Sequence, residues 1–235
     1  SLSAAARLGD YLIRELDSDV KVGPGDTWGD DTSWLALLGL DRALLALHRV
    51  TGEKAYLNFC IDRLELPAWD PPIVEGRFSP IEGHMYAYLT RCLAQLELHE
   101  LTGDTGLLGP TRRVIEYLGG RRAMVITGTN SLEECWHSDQ TGSGDLGETC
   151  ATAYLIRLLS KLLCLEGDGQ YGDWMERTIY NALFAAQSPD GRHLRYYAPF
   201  DGPRRYWNKD TYCCPGNFRR IIGELPELIV YRQPQ

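Results

Sequence analysis

Apolar residues recur every three to four positions along most of the chain, the period of an amphipathic helix. The pattern predicts helices over residues 3–17, 32–50, 53–65, 82–102, 109–120, 149–166, 171–187 and 217–230. One stretch alternates instead. "RHLRYYAPF", residues 192–200, reads as a strand of a hairpin rather than of a sheet.

An internal echo orders these helices. "LHRVTGEKAYL" at 47–57 recurs as "LHELTGDTGLL" at 98–108, an offset of 51, and more weakly as "LLCLEGDGQYG" at 162–172. Each copy has a helix end, a glycine turn with an acidic residue, and a new helix, which describes the tip of an αα-hairpin. Hairpins at this spacing predict an all-α fold of the α/α toroid type. A six-hairpin ring needs twelve helices and about eight are legible here. The expectation is therefore one domain over 1–235 that holds part of such a barrel and lacks its first helices.

The segments between helices carry a second signal. Residues 18–31, 67–81, 121–147 and 188–216 are long and rich in Gly, Asp, Trp and Pro; loops of this length inside a compact domain are usually functional or disordered. Trp28, Trp69, Trp136 and Trp207 fall in or beside them. Aromatic rings there suit the C–H faces of a sugar, and they suit equally well the closing of a core.

Composition narrows the partners. The chain has 235 residues, 44% of them hydrophobic and 24% charged, with a net charge of −8. That balance speaks against nucleic acid or an anionic membrane surface as the main partner. No run approaches the roughly 18 apolar residues of a membrane span, and no signal-peptide pattern opens the chain. The seven cysteines are odd in number and lack the spacing of a disulfide scaffold. They read as reduced thiols, which favours the cytoplasm over an oxidising compartment.

Two motifs concentrate the chemistry: "GETC" at 147–150 and "CCPGN" at 213–217. Adjacent cysteines pair badly with each other because the small ring strains the S–S torsion. Glu148, Cys150, Cys213 and Cys214 together offer a carboxylate and three thiolates, a reasonable tetrahedral set for Zn2+. Glu148 and Cys150 are two positions apart and converge only if Glu148 lies before the first full turn of its helix. Asn217 is a good N-cap for the last helix, which would bring both adjacent thiols to a positive helix end and lower their pKa. Spacing leaves open whether such a zinc is structural or reactive. "TNSLEECW" at 129–136 adds Glu133 and Glu134 in a loop. A glycosidase needs a carboxyl group that protonates the leaving oxygen and then deprotonates water, although paired glutamates in loops are usually solvated surface.

"EGHMYAYL" (82–89), "TGDTGLL" (102–108), "VITGTNSLEECW" (125–136), "GETC" and "CCPGN" stand in the order found in glycoside hydrolase family 127, the bacterial β-L-arabinofuranosidases. The chain resembles that family from about residue 32 to 231. The resemblance implies an (α/α)6 barrel followed by β-sandwich domains, and hydrolysis with retention by a zinc-bound cysteine acting on a carbohydrate. It marks Cys213 as nucleophile, with Glu148, Cys150 and Cys214 completing the zinc site. It marks Glu134 as the acid/base, with Glu133 as the fallback, and His84, Trp136 and Trp28 as substrate contacts. Two departures stand out. Gly216 replaces a proline of the family motif, and no histidine precedes the second predicted helix, where Trp28, Asp30 or Asp31 would fill the space. Two other readings are a non-catalytic carbohydrate-binding barrel with structural zinc and a zinc barrel that activates a substrate thiol. The latter usually recruits a Cys-His ligand pair, and none of His48, His84, His99, His137 and His193 adjoins a cysteine.

Overall fold

The hairpin echo is realised three times. A computed structural model describes residues 1–17, 38–77 and 82–232; Trp28, Asp30 and Asp31 lie outside them. The helices are α1 (Leu2–Asp17), α2 (Leu40–Thr51), α3 (Lys54–Asn58), α4 (Met85–Thr102), α5 (Gly109–Ile115), α6 (Thr149–Glu166), α7 (Gly169–Thr178) and α8 (Cys213–Glu224). Helices α2, α4 and α6 end at Gly52, Gly103 and Gly167 with φ of 76°, 75° and 70°, a left-handed conformation that costs glycine no Cβ clash. The next acidic residue caps the following helix. Glu53 accepts from the amide of Ala55, Asp104 from Gly106, and Asp168 from Gln170. In the first two copies a histidine ties the turn as well, through His48 Nδ1 to Glu53 O and His99 Nδ1 to Asp104 O. Leu163 stands in that place in the third copy, so the echo weakens there. Each outgoing segment then widens into a π turn, at Phe59–Arg63, Glu116–Gly120 and Ile179–Leu183.

Helix α2 packs on α4, α4 on α6, and α6 on α8, so these four form an inner row while α3, α5 and α7 return along the outside. This is an arc of an α/α toroid. The main core lies between α4 and α6, around Met85, Leu89, Leu96, Leu155, Leu158 and Leu159; each such side chain stabilises the fold by about 1.5–3 kcal/mol when fully buried. Leu16, Leu44, Leu45, Tyr56 and Phe59 form a second cluster under α1 to α3. Ion pairs lock the inner row: Arg42 to Glu97 at 2.7 Å between α2 and α4, and bidentate Arg157 to Glu224 at 2.7 Å between α6 and α8.

Two expectations need correction. Residues 192–200 do not form a strand; among the described residues there are only isolated bridges, and this segment makes two, Leu194 with Gln187 and Tyr197 with Glu148. Its pairing partner changes within three residues, so no ladder propagates. The last helix begins four residues before Asn217, with Tyr212 as its extended N-cap (φ −156°, ψ 175°). Pro215 does not stop it, because the first turn of a helix has no intrahelical use for that N–H. No helix among the described residues is long and apolar enough to cross a membrane.

Candidate functional site

The inner helices run parallel, so their N-termini gather at one end of the row. His84 is the N-cap of α4, Glu148 the N-cap of α6, and Cys213 and Cys214 the first two residues of α8. Glu148 has non-helical φ and ψ of −52° and 130°. Its carboxylate therefore swings back beside Cys150 rather than following the helical spiral, which is the condition for the two to converge.

One ligand atom each of Glu148, Cys150, Cys213 and Cys214 lies within 4.8 Å of the others. Cys150 and Cys214 place their sulfurs 3.3 Å apart, and Cys214 Sγ lies 3.8 Å from Glu148 Oε1. All seven cysteines are free thiols. Glu148, Cys150 and Cys214 are buried, while Cys213 is exposed. Oε2 of Glu148 is buried without a hydrogen-bond partner.

The electrostatics follow from this crowding. Burial, and then the neighbouring Glu134 and Cys213, raise the Glu148 carboxyl well above its usual range. Burial likewise raises the thiols of Cys150 and Cys214. Cys213 moves the other way, down to about 2, because the Cys150 and Cys214 thiols donate to it and outweigh its own burial. Burial thus disfavours charge on three of these four acidic groups in the protein alone. An orphaned carboxylate oxygen and three sulfurs around one centre fit a cation that lets all four ionise.

The loop of Glu133 and Glu134 completes the site. Leu132 and Cys135 exchange backbone hydrogen bonds in both directions, closing a two-residue turn. The central residues, Glu133 and Glu134, have φ of 49° and 67°, the signature of a type I′ turn that normally takes Asn-Gly. The turn docks on the start of α4, where the amide of Met85 donates to Glu134 O and that of Trp136 to Gly83 O. Gly83 is required there, since a Cβ would lie 1.7 Å from the carbonyl oxygen of Arg77. Glu133 points to solvent and Glu134 is half-buried.

Three groups hold the Glu134 carboxylate: His84 Nε2 lies 3.0 Å from Oε2, and the hydroxyls of Tyr196 and Tyr197 donate to Oε1 at 2.7 and 3.3 Å. The Tyr196 hydroxyl is also 3.3 Å from Cys213 Sγ. Burial, with the nearby carboxylates adding to it, raises the pKa of both tyrosines, so they remain donors. His84, Glu134 and Glu148 lie within 4.8 Å of one another in a second group.

Of the expected aromatics, Trp136 does not reach the site. It is fully buried, edge-on to Tyr88 and Tyr117 at centroid distances of 5.7 and 5.5 Å, so it anchors the Glu134 turn from inside the core. The aromatic wall comes from elsewhere. Tyr196, Tyr197, Tyr206 and Trp207 line a cleft of about 620 Å³ with Asp145 and Arg205, and Trp207 lies 4.8 Å from Tyr196, ring to ring. Tyr196 and Tyr197 carry no site signal in the sequence because they sit in the stretch, 192–200, that reads as a strand.

This architecture has relatives. The chain is 24% identical to a non-reducing end β-L-arabinofuranosidase of Bifidobacterium longum subsp. longum, over 81% of this chain and 36% of that protein. A β-L-arabinofuranosidase from Geobacillus stearothermophilus T6 superposes with a TM-score of 0.66 at 25% identity, over 83% of this chain and 38% of that one. A glycoside hydrolase with 16% identity shares the fold, with a TM-score of 0.68 over 93% of this chain and 41% of the other. The chain spans about a third of the length of the relatives it matches. The family described as β-L-arabinofuranosidase, GH127 catalytic domain, matches residues 2–227, and the chain belongs to it.

Proposed function

We propose that this chain carries the catalytic site of a retaining glycoside hydrolase that releases β-L-arabinofuranose or a related sugar from glycans, with Cys213 as nucleophile and Glu134 as acid/base. One observation carries the reading. A single hydroxyl, that of Tyr196, touches Glu134 Oε1 at 2.7 Å and Cys213 Sγ at 3.3 Å, which keeps the two within about 6 Å. Retaining glycosidases hold their catalytic pair about 5–5.5 Å apart, and inverting ones about 6.5–9.5 Å to admit a water.

The residues then divide the work. The Cys213 sulfur attacks the anomeric carbon as the C–O bond breaks, and the departing oxygen takes the proton of Glu134. Water next attacks that carbon and gives its proton to Glu134, and the electron pair of the C–S bond returns to Cys213. His84, Tyr196 and Tyr197 orient the Glu134 carboxyl throughout. Zn2+ held by Glu148, Cys150, Cys213 and Cys214 would keep the thiolates ionised and temper the nucleophilicity of the sulfur. The aromatic cleft beside Tyr196 and Tyr197 supports a sugar as the ligand, and His84 is a substrate contact in the same reading.

The test uses an aryl β-L-arabinofuranoside and the zinc-loaded chain. An activated leaving group needs no proton, so Glu134→Gln should still glycosylate Cys213, stall before hydrolysis, and be rescued by azide. Mass spectrometry should find the sugar on the Cys213 peptide. Turnover that survives in Cys213→Ala, or a sugar on any other residue, refutes the assignment.

A further inference from the structure

Asn217, expected as a helix cap, has a different position and a different set of neighbours. It lies in the first turn and a half of α8, is 2% exposed, and donates from Nδ2 to Cys150 Sγ at 3.1 Å. Its Oδ1 accepts from Arg220 Nη1 at 2.7 Å, one turn further along the same helix. A guanidinium has donors and no acceptor. Arg220 therefore fixes which end of the amide faces it, and the N–H end is left to face the sulfur. The direction of the relay is set by chemistry: guanidinium to amide oxygen, amide nitrogen to sulfur.

We infer that Asn217 is a positioning residue for the metal site, holding Cys150 as a thiolate ligand through an N–H···S bond whose orientation Arg220 enforces. This rests on the metal-site reading above. The need for it follows from charge. Three thiolates and a carboxylate outweigh a divalent cation by two negative charges, three of the four ligands are buried, and a buried excess of charge is costly unless hydrogen bonds disperse it. Cys213 has the Tyr196 hydroxyl for this purpose; Cys150, fully enclosed, has Asn217. Outer partners of this kind typically change metal affinity by about 10–100-fold when removed. Gly216 leaves the arrangement undisturbed, since a Cβ there would meet the Arg220 guanidinium only at ordinary contact, 3.6–3.9 Å.

The experiment measures zinc affinity by chelator competition, and the sulfur-to-metal charge-transfer absorption of the cobalt-substituted protein, for the full chain and three variants. Asn217→Asp keeps the shape and the Arg220 contact but turns an N–H toward the sulfur into an oxygen. It should weaken zinc by about 10–100-fold and shift the cobalt band. Arg220→Met should shift both in the same direction by less, because the exposed guanidinium can be replaced by water, and Arg220→Lys should restore them. Wild-type affinity and an unmoved band in a folded Asn217→Asp protein would overturn the inference while leaving the metal site standing. A wild-type chain that takes up neither zinc nor cobalt would overturn the metal site and this inference together. A thermal shift with an unchanged band would reduce Asn217 to a structural role, which also overturns it.

Discussion

Glu133 and Glu134 share one turn, one residue type and one backbone conformation, yet the fold gives them different surroundings, solvent for Glu133 and His84, Tyr196 and Tyr197 for Glu134, and this makes their exchange a sharp test. Both are non-glycine residues with positive φ, 49° and 67°. Such a conformation costs an L-residue about 1–2 kcal/mol. Glu133→Gly removes that cost at one position and adds about 0.5–1 kcal/mol of backbone entropy to the unfolded chain. Its backbone bond to Asp145 O persists, and the side chain lost is exposed. The expected net effect is a gain of about 0.5–1 kcal/mol, a rise of about 1–4 °C in thermal midpoint for a domain of this size, with turnover within about twofold of wild type. Glu134→Gln should leave the midpoint almost unmoved and reduce turnover on a glycoside with a poor leaving group by about 10²–10⁴-fold. Differential scanning fluorimetry and a discontinuous sugar-release assay read the two effects on the same samples. A lower midpoint for Glu133→Gly would refute the strain argument. Loss of turnover on changing Glu133, with Glu134→Gln active, would assign the acid/base to the wrong member of the pair.

Other consequences follow from the same geometry. Elemental analysis should find about one zinc per chain, clearly reduced in Cys214→Ser, and at free zinc a thousandfold above Kd the metal should add about 4.1 kcal/mol to stability, so chelation should lower the thermal midpoint. His137 is 6% exposed, and burial lowers its pKa below 6.5, outweighing the opposing pull of the Asn130 and Asp139 backbone. The unfolded chain then takes up a proton that the folded one refuses, so stability should fall as pH drops below about 6.5; His137→Phe should flatten that part of the profile of midpoint against pH. Leu159→Ala, in the core between α4 and α6, should cost about 2–5 kcal/mol, measured by urea unfolding.

Much of this was legible in the residues themselves because it is local. A glycine followed by an acidic residue ends one helix and caps the next whatever surrounds it, so the hairpins at 52, 103 and 167 could be read, and with them the all-α class and the arc of a toroid. Sulfur and carboxylate chemistry is also intrinsic to residue type, so Glu148, Cys150, Cys213 and Cys214 could be grouped before any distance was known. Tertiary structure decided what depends on encounters between distant segments. It turned Trp136 into the core, where the apolar contacts of Tyr88 and Tyr117 outweigh any exposure beside Glu134. It brought Tyr196 and Tyr197, which read as a strand, against the Glu134 carboxylate 62 and 63 residues earlier in the chain. It started α8 at Cys213 and so sent Asn217 to a thiol rather than to a helix end. Periodicity reports which side of a helix is buried; only the meeting of three helix N-termini reports what faces the sulfur.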